Sequence, residues 1–431
     1  MRRLGMFLVY LPVVVGLSGC CALFQTPETM PEATAPQRSD TPGEEHLTPT
    51  LPSAGTLPTE GAEITPTEPE PTDTLISSIP IAYAKDSTIW VYYLDTQNKF
   101  ALTGSGSPSG LEGDFYHPKL SPSGTFAAFK QRAGDYIVMS LEDYSYERIP
   151  NGNTRLLSIE NILGWDANNL LYVTRQIGAC VFWQEPNTNI TAVDILVYDP
   201  RARSVVDKFP LPQDVASVGN STGVGVSPSG RYITGDPFYC GPEEDFVPFF
   251  VYDRQTGAVY TQEGGNTIIS DNEKWLAELD DSRLFEGGAS EIRVKALGEQ
   301  AARLSYRAEN AGAILTDMSW SPNSEFIAAL EYASSENWTG YWTPYRKGGN
   351  KLIILPANGI SAAPAGQAEA RVLDINALDI FGWTPDGRSI FYTSGTIDAN
   401  GYYQNFTLQM LNLDTLEKTI IDSGQIFNPM Y

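Results

Sequence analysis

Residues 320–332 read WSPNSEFIAALEY: an aromatic, a hydroxyl residue and a proline lead through a polar turn into an apolar run. GWTPDGRSIFYTS (382–394) and GVSPSGRYITG (225–235) repeat the phrase, and LSPSG (120–124) opens a fourth copy. Two weaker copies, WDANN (165–169) and ISDNEK (269–274), fall where gaps would otherwise lie. The chemistry of the phrase is that of a tight turn. The Ser or Thr hydroxyl caps it, Pro presets φ, and Gly takes a backbone angle that other residues resist. The runs that follow, such as FAAF (126–129), LLYV (170–173) and FIAAL (326–330), are short and apolar, as in strands covered on both faces.

A second phrase keeps the same beat. It reads IWVYYLDTQNK (89–99), IVMSLEDYSYE (137–147), ILVYDPRARS (195–204), FFVYDRQTGA (249–258), IRVKALGEQA (292–301), LIILPANGIS (352–361) and LQMLNLDTLEK (408–418). Each is a strand running into a polar hairpin, commonly with an Asp placed to cap the turn. The copies recur every 45 to 60 residues or so, the length of a four-stranded propeller blade. The 355 residues from 77 onward exceed one ordinary core, and a repeat array resolves that. NEKWLAELDDSRLFEGG (272–288) fits an amphipathic helix by spacing alone, but the repeat phase makes WLAELD a second strand.

Seven hairpin phrases stand against six turn phrases. The first unit, from SSIPIAYAK, begins in its second strand, and the chain's Phe427-Asn428-Pro429 echoes Trp320-Ser321-Pro322. The expectation is an all-β, seven-bladed propeller of four-stranded antiparallel blades over residues 77–431. Its C-terminal segment supplies the missing innermost strand of blade 1, closing the ring with no free edge.

The turn phrase followed by an apolar strand resembles the TolB-type, WD40-like (PD40) propeller repeat. The resemblance implies the architecture and is poor at specifying function. WDANN and ISDNEK depart from its pattern, and most copies lack its Asp. The separate N-terminal domain of TolB has no counterpart here, so TolB's partners do not transfer.

The N-terminus points to the cell surface. Arg2 and Arg3 precede an apolar stretch of signal-peptide length that ends in LSGC (17–20), which resembles a bacterial lipobox. The resemblance implies a signal peptide over residues 1–19 and a lipidated Cys20 as membrane anchor. Attachment of two or more acyl chains would hold the protein stably on the extracytoplasmic side. Cys21 receives no role. Residues 25–75 hold ten prolines, twelve threonines and ten acids with a single base, Arg38. So little apolar surface cannot offset the entropy of ordering, and residues 20–76 read as a disordered tether. The formal charge of −24 disfavours nucleic acid and anionic lipid headgroups as partners.

Catalytic signatures are scarce. The chain has two histidines, His46 in the linker and His117, which reads as a turn residue. We find no G-x-S-x-G elbow, P-loop, dinucleotide fingerprint or calcium loop, and expect no cofactor and no metal. The acids Glu243, Glu244 and Asp245, and Asp280 with Asp281, would suit a glycosidase or lyase, but read first as a solvated face. Insertions fall between the second and third strands of several blades: 175–194, 235–248, 333–350 and 394–406. They carry Trp183, Tyr239, Trp338, Tyr341, Trp342, Tyr345, Tyr402 and Tyr403, which either pin their own loops or form a face for an envelope protein, peptide or glycan. Cys180 and Cys240 occupy similar heights on adjacent blades, and a disulfide between them is expected outside the cytoplasm.

Overall fold

The computed structural model describes residues 80–131, 135–149, 162–177, 192–212, 225–235, 249–262, 267–280, 290–299, 301–308, 310, 312–332, 350–357, 366–367, 369–399, 403–424 and 426–427. Their strands form seven sheets. Blade 1 holds β1 (Pro80–Lys85), β2 (Thr88–Tyr93) and β3 (Lys99–Ala101). Blade 2 holds β4 (Phe115–Leu120), β5 (Phe126–Gln131), β6 (Tyr136–Ser140) and β7 (Tyr146–Ile149). Blade 3 follows with β8 (Ile162–Trp165), β9 (Leu171–Ile177), β10 (Ala192–Asp199) and β11 (Ser204–Pro210). Blade 4 has β12 (Gly225–Val226), β13 (Tyr232–Gly235), β14 (Phe249–Asp253) and β15 (Val259–Gln262). In blade 5 come β16 (Thr267–Ile269), β17 (Trp275–Asp280), β18 (Glu291–Ala296) and β19 (Ala302–Arg307).

Blade 6 is built from β20 (Ile314–Trp320), β21 (Phe326–Tyr332), β22 (Lys351–Pro356) and β24 (Arg371–Leu373). Between the last two, β23 (Gly366–Gln367) leaves to pair in parallel with β19, so blade 5 gains a fifth strand beyond the expected four. Blade 7 contains β25 (Ala377–Trp383), β26 (Ser389–Ile397), β27 (Tyr403–Asn412) and β28 (Lys418–Ser423). Finally β29 (Ile426–Phe427) returns to blade 1 as its innermost strand. The seven-bladed ring and its closure are as the repeat phase requires, and WLAELD is the strand β17.

The turn phrase explains itself in atoms. In each copy the capping oxygen accepts a backbone N–H at the start of the second strand, that of its first residue in five copies and of Leu170, just before β9, in WDANN. Ser121, Ser227, Ser270, Ser321 and Thr384 do so with hydroxyls, and Asp166 of WDANN does so with its carboxylate, all at 2.9–3.1 Å. Three residues past the cap, φ is positive every time: Gly124, Asn169, Gly230, Glu273, Ser324 and Gly387. Consecutive turns also bond to each other. Ser123 N–H donates to Asn169, Ala167 N–H to Pro228 O, Ser229 N–H and Oγ–H to Glu273, Asn272 N–H to Ser324 Oγ, and Asn323 Nδ2 to Asp386 O. They form a belt across five joints, from blade 2 to blade 7. The indoles before the caps lock backward. Trp165 Nε1 donates to Lys119 O at 3.0 Å, Trp320 Nε1 to Ile268 O at 3.3 Å, and Trp383 Nε1 to Ser319 Oγ at 3.2 Å.

Each joint between blades has its own core. Among the described residues fifteen buried apolar ones fill the joint between blades 5 and 6, including Ile292, Val294, Trp320, Ile327 and Ile353. Among the described residues the joint between blades 4 and 5 holds three, Tyr232, Val251 and Leu276. The 7–1 joint, where the ring closes, adds charge to its apolar contacts. Buried Asp422 on β28 accepts from Tyr83 Oη at 2.8 Å, Lys85 Nζ at 3.0 Å and Lys99 Nζ at 2.8 Å, all on blade 1. Burial pushes the Asp422 carboxyl up, but the hydrogen bonds from Lys99, Tyr83 and Lys85 outweigh it and hold it at about 2.

The closing strand departs from its sequence echo in one respect. Trp320 pairs with Ile327 near the turn end of its blade, whereas Phe427 pairs with Ala84, next to the β1–β2 connection at the opposite end. The echo of WSP in FNP is therefore not an equivalence of height.

Candidate functional site

The turn phrases and the polar hairpins lie at one end of the blades, so the connections between second and third strands leave from the other. Four of these run to ten residues or more, those joining β9 to β10, β13 to β14, β17 to β18 and β21 to β22, and five residues join β26 to β27. Trp183, Tyr239, Trp338, Tyr341, Trp342, Tyr345 and Tyr402 lie outside the described residues, as do Cys20, Cys180 and Cys240. Tyr403 opens β27 and pairs with Ile397. That hairpin is a described part of the long-loop end. Its strands run nine and ten residues, and past the bulge at Ser394/Thr396 they continue as a two-stranded ribbon. Asn405 Nδ2 donates to Thr396 Oγ1 at 2.9 Å and Gln404 Nε2 to Asp398 Oδ2 at 3.1 Å, with Ile397 exposed between them.

The innermost strands are bulged at a recurrent height. Register shifts occur at Tyr116/Lys119 in β4, Ile162/Gly164 in β8, Thr316/Ser319 in β20 and twice in β25. The bulges of β4 and β20 hold His117 and Asp317 at φ of 57° and 52°, a conformation that side chains resist and that bulges use to re-aim them. His117 is therefore a residue of an inner strand and not of a turn. Burial, then the charges of Lys130 and Lys119, hold its pKa down at about 4, so the imidazole is neutral at neutral pH. Burial alone brings Lys119 down to about 8, and its Nζ donates to Leu163 O at 3.1 Å.

Of the acids singled out in the sequence, Asp280 is described; Glu243, Glu244, Asp245 and Asp281 lie outside the described residues. Asp280 is not on a solvated face. It is buried at the end of β17 and ion-paired with Arg293. Register explains its neighbours. Thr267 opposes Glu278, Glu278 opposes Arg293, Leu276 opposes Lys295, and Asp280 opposes Glu291, which opposes Arg307. Directly opposed residues share a face, and Leu276 packs on blade 4. The whole set therefore looks into the joint between blades 4 and 5. Lys295 Nζ lies 2.7 Å from Glu278 Oε2 with the lysine side chain 3% exposed, and Glu291 receives Arg307 at 3.2 Å and Arg293 at 3.4 Å.

The sequence reading passed over Thr267, Glu278, Glu291, Arg293, Lys295 and Arg307. The available signal was the strict alternation of EIRVKA (291–296), ordinarily read as one wet face. A pocket built for acid chemistry would show carboxyls held up by burial. Among the described residues Asp271 is raised, to about 6, by desolvation and then by Glu273. It sits on the turn of blade 5, at the end opposite the long loops, and much of its surface meets water, which screens both effects. No group of three or more His, Cys, Asp or Glu among the described residues is placed to hold a metal ion.

No family model and no curated protein sequence matches the chain. Solved structures do resemble it in fold. A TolB-type protein from Agrobacterium tumefaciens shares 14% identity over 72% of this chain and 95% of its own, with a TM-score of 0.42. A chain of the mitotic checkpoint complex shares 15% over 84% and 99%, at 0.47. Oligogalacturonate lyase from Vibrio parahaemolyticus shares 10% over 80% and 84%, at 0.42. These are likenesses of architecture alone, and the propeller itself rests on the seven sheets and their closure.

Proposed function

We propose that the chain is a lipid-anchored extracytoplasmic binding module whose propeller presents its long-loop end to an envelope protein, peptide or glycan. The observation that carries this reading is topological. Four insertions, 175–194, 235–248, 333–350 and 394–406, join second to third strands, so they start from one end of the ring, and they hold eight Trp and Tyr residues. Amphipathic aromatics gathered at one end suit stacking on sugar rings or anchoring a partner. The lipobox and the Pro/Thr/Glu-rich tether supply the address, holding the ring clear of the membrane.

Two experiments test the reading. Screening a glycan array and an envelope extract with the mature protein should yield a ligand whose binding falls at least tenfold when Trp338, Trp342 and Tyr345 are all changed to Ala; undiminished binding would rule out the aromatic end. Cys20→Ala should move the protein from the membrane to the soluble fraction. The alternative, a glycosidase or lyase using acids at the same end, is not favoured at Asp280, whose carboxylate is committed to Arg293.

A further inference from the structure

We propose that the joint between blades 4 and 5 is hydrated and is the place where the ring opens. Three independent features meet there. The apolar core is the smallest of the joints described. The wall contributed by blade 5 is charged, with Glu278, Asp280 and Glu291 balanced by Arg293, Lys295 and Arg307. And Thr267, fully buried on that wall, has a hydroxyl with no hydrogen-bond partner among the described residues. A buried hydroxyl without a protein partner is what an internal water satisfies, and the carboxylates beside it supply the further acceptors such a water needs.

The facing wall leaves room. The innermost strand of blade 4 is two residues long, and the one aligned with Thr234 is Gly225, which brings no side chain. An added Cβ there would meet Thr234 Oγ1 at an ordinary 3.5 Å. Charge also governs the turn belt at this joint, where exposed Ser229 donates through N–H and Oγ–H to the Glu273 carboxylate at 2.7 and 2.8 Å. A joint closed by ion pairs rather than by apolar area gains little from staying shut, because its charges are well solvated when parted. Opening would spread β13–β14 from β17–β18 and change the spacing of blades 4 and 5 at the long-loop end.

Hydrogen exchange on the full-length protein in detergent tests this. Amides of β13, β14, β17 and β18 should exchange at least tenfold faster than those of β21 and β22. Raising NaCl from 50 mM to 1 M should speed the first set about threefold or more by screening the parted charges, leaving the second unchanged. The double change Glu278→Leu with Lys295→Leu should slow exchange at the 4–5 joint and abolish its salt response. Equal protection at the two joints, or an open 4–5 joint indifferent to both salt and the double change, would overturn the proposal.

Discussion

The two sides of blade 5 are a controlled comparison, since one sheet presents a different face to each neighbour. Toward blade 6 it turns Ala277, Leu279, Ile292 and Val294, which join Trp320, Ile327 and Ile353 in the largest core of the ring. Blade 6 also sends β23 across to pair with the edge strand β19. Toward blade 4 the same strands turn Glu278, Asp280, Glu291, Arg293 and Lys295, and among the described residues the buried apolar contact shrinks to Leu276 against Tyr232 and Val251. Beyond β23, what differs is the parity of the polar residues, which makes one joint an apolar clasp and the other a charged seam.

Substitutions should separate the joints. The largest loss is expected from Trp320→Ala, which removes a buried indole and its bond to Ile268 O: about 3–5 kcal/mol in urea unfolding, by analogy with large-to-small core changes. Lys295→Met should cost about 3 kcal/mol, because it strands Glu278 in a closed joint, whereas Lys295→Leu combined with Glu278→Leu should be neutral or stabilising. If the single change is as harmless as the double, the seam is wetter and weaker than the ion pairs imply.

The closing joint offers a third case, where charge reinforces apolar packing. Asp422→Asn should destabilise by about 1–2 kcal/mol at neutral pH, less than the full pKa displacement implies because Lys99 is partly in water. Its carboxyl is held at about 2, below its ordinary 3.8, so the stability it contributes is complete above that ordinary value and is lost as pH falls toward 2. The gap between wild type and variant, measured in urea from pH 6 to pH 2, should close across that window. The smallest effect is a gain. Gly225→Ala should stabilise by about 0.5 kcal/mol, since the strand accepts a Cβ there and loses a glycine's backbone entropy.

How much of this was legible follows from where chemistry repeats. The turn phrase carried blade count and phase because a cap oxygen, a preset φ and a positive-φ position are needed at each copy. WDANN and ISDNEK read as weak because Ala167 and Asp271 stand where the other copies have Pro, Asp166 caps with a carboxylate, and Asn169 and Glu273 adopt the angle usually given to Gly. The belt was not legible, since its bonds join residues about fifty apart through positions that vary in type. Nor was β23, since Gly366-Gln367 carries no strand pattern and is placed by the edge of a neighbouring blade. Asp280 was singled out but assigned to solvent. Alternating polar residues mark water in a sheet with one dry face, and in a propeller blade both faces are joints. The height of β29 was misjudged for a related reason: two ladder pairs, and not the FNP echo, set its register.

Closure of the ring by the chain's last residues supports every joint described above, and one cross-link tests it directly. Ala84 and Phe427 are partners across β1 and β29, and Cα atoms opposed in an antiparallel ladder lie about 4.5–5.5 Å apart, within the span of a disulfide. In the full chain carrying Ala84→Cys and Phe427→Cys, mild oxidation followed by peptide mapping should recover one intramolecular bond between positions 84 and 427 in nearly all molecules. Two alkylated thiols, or bonds formed only between molecules, would contradict the closed seven-bladed ring.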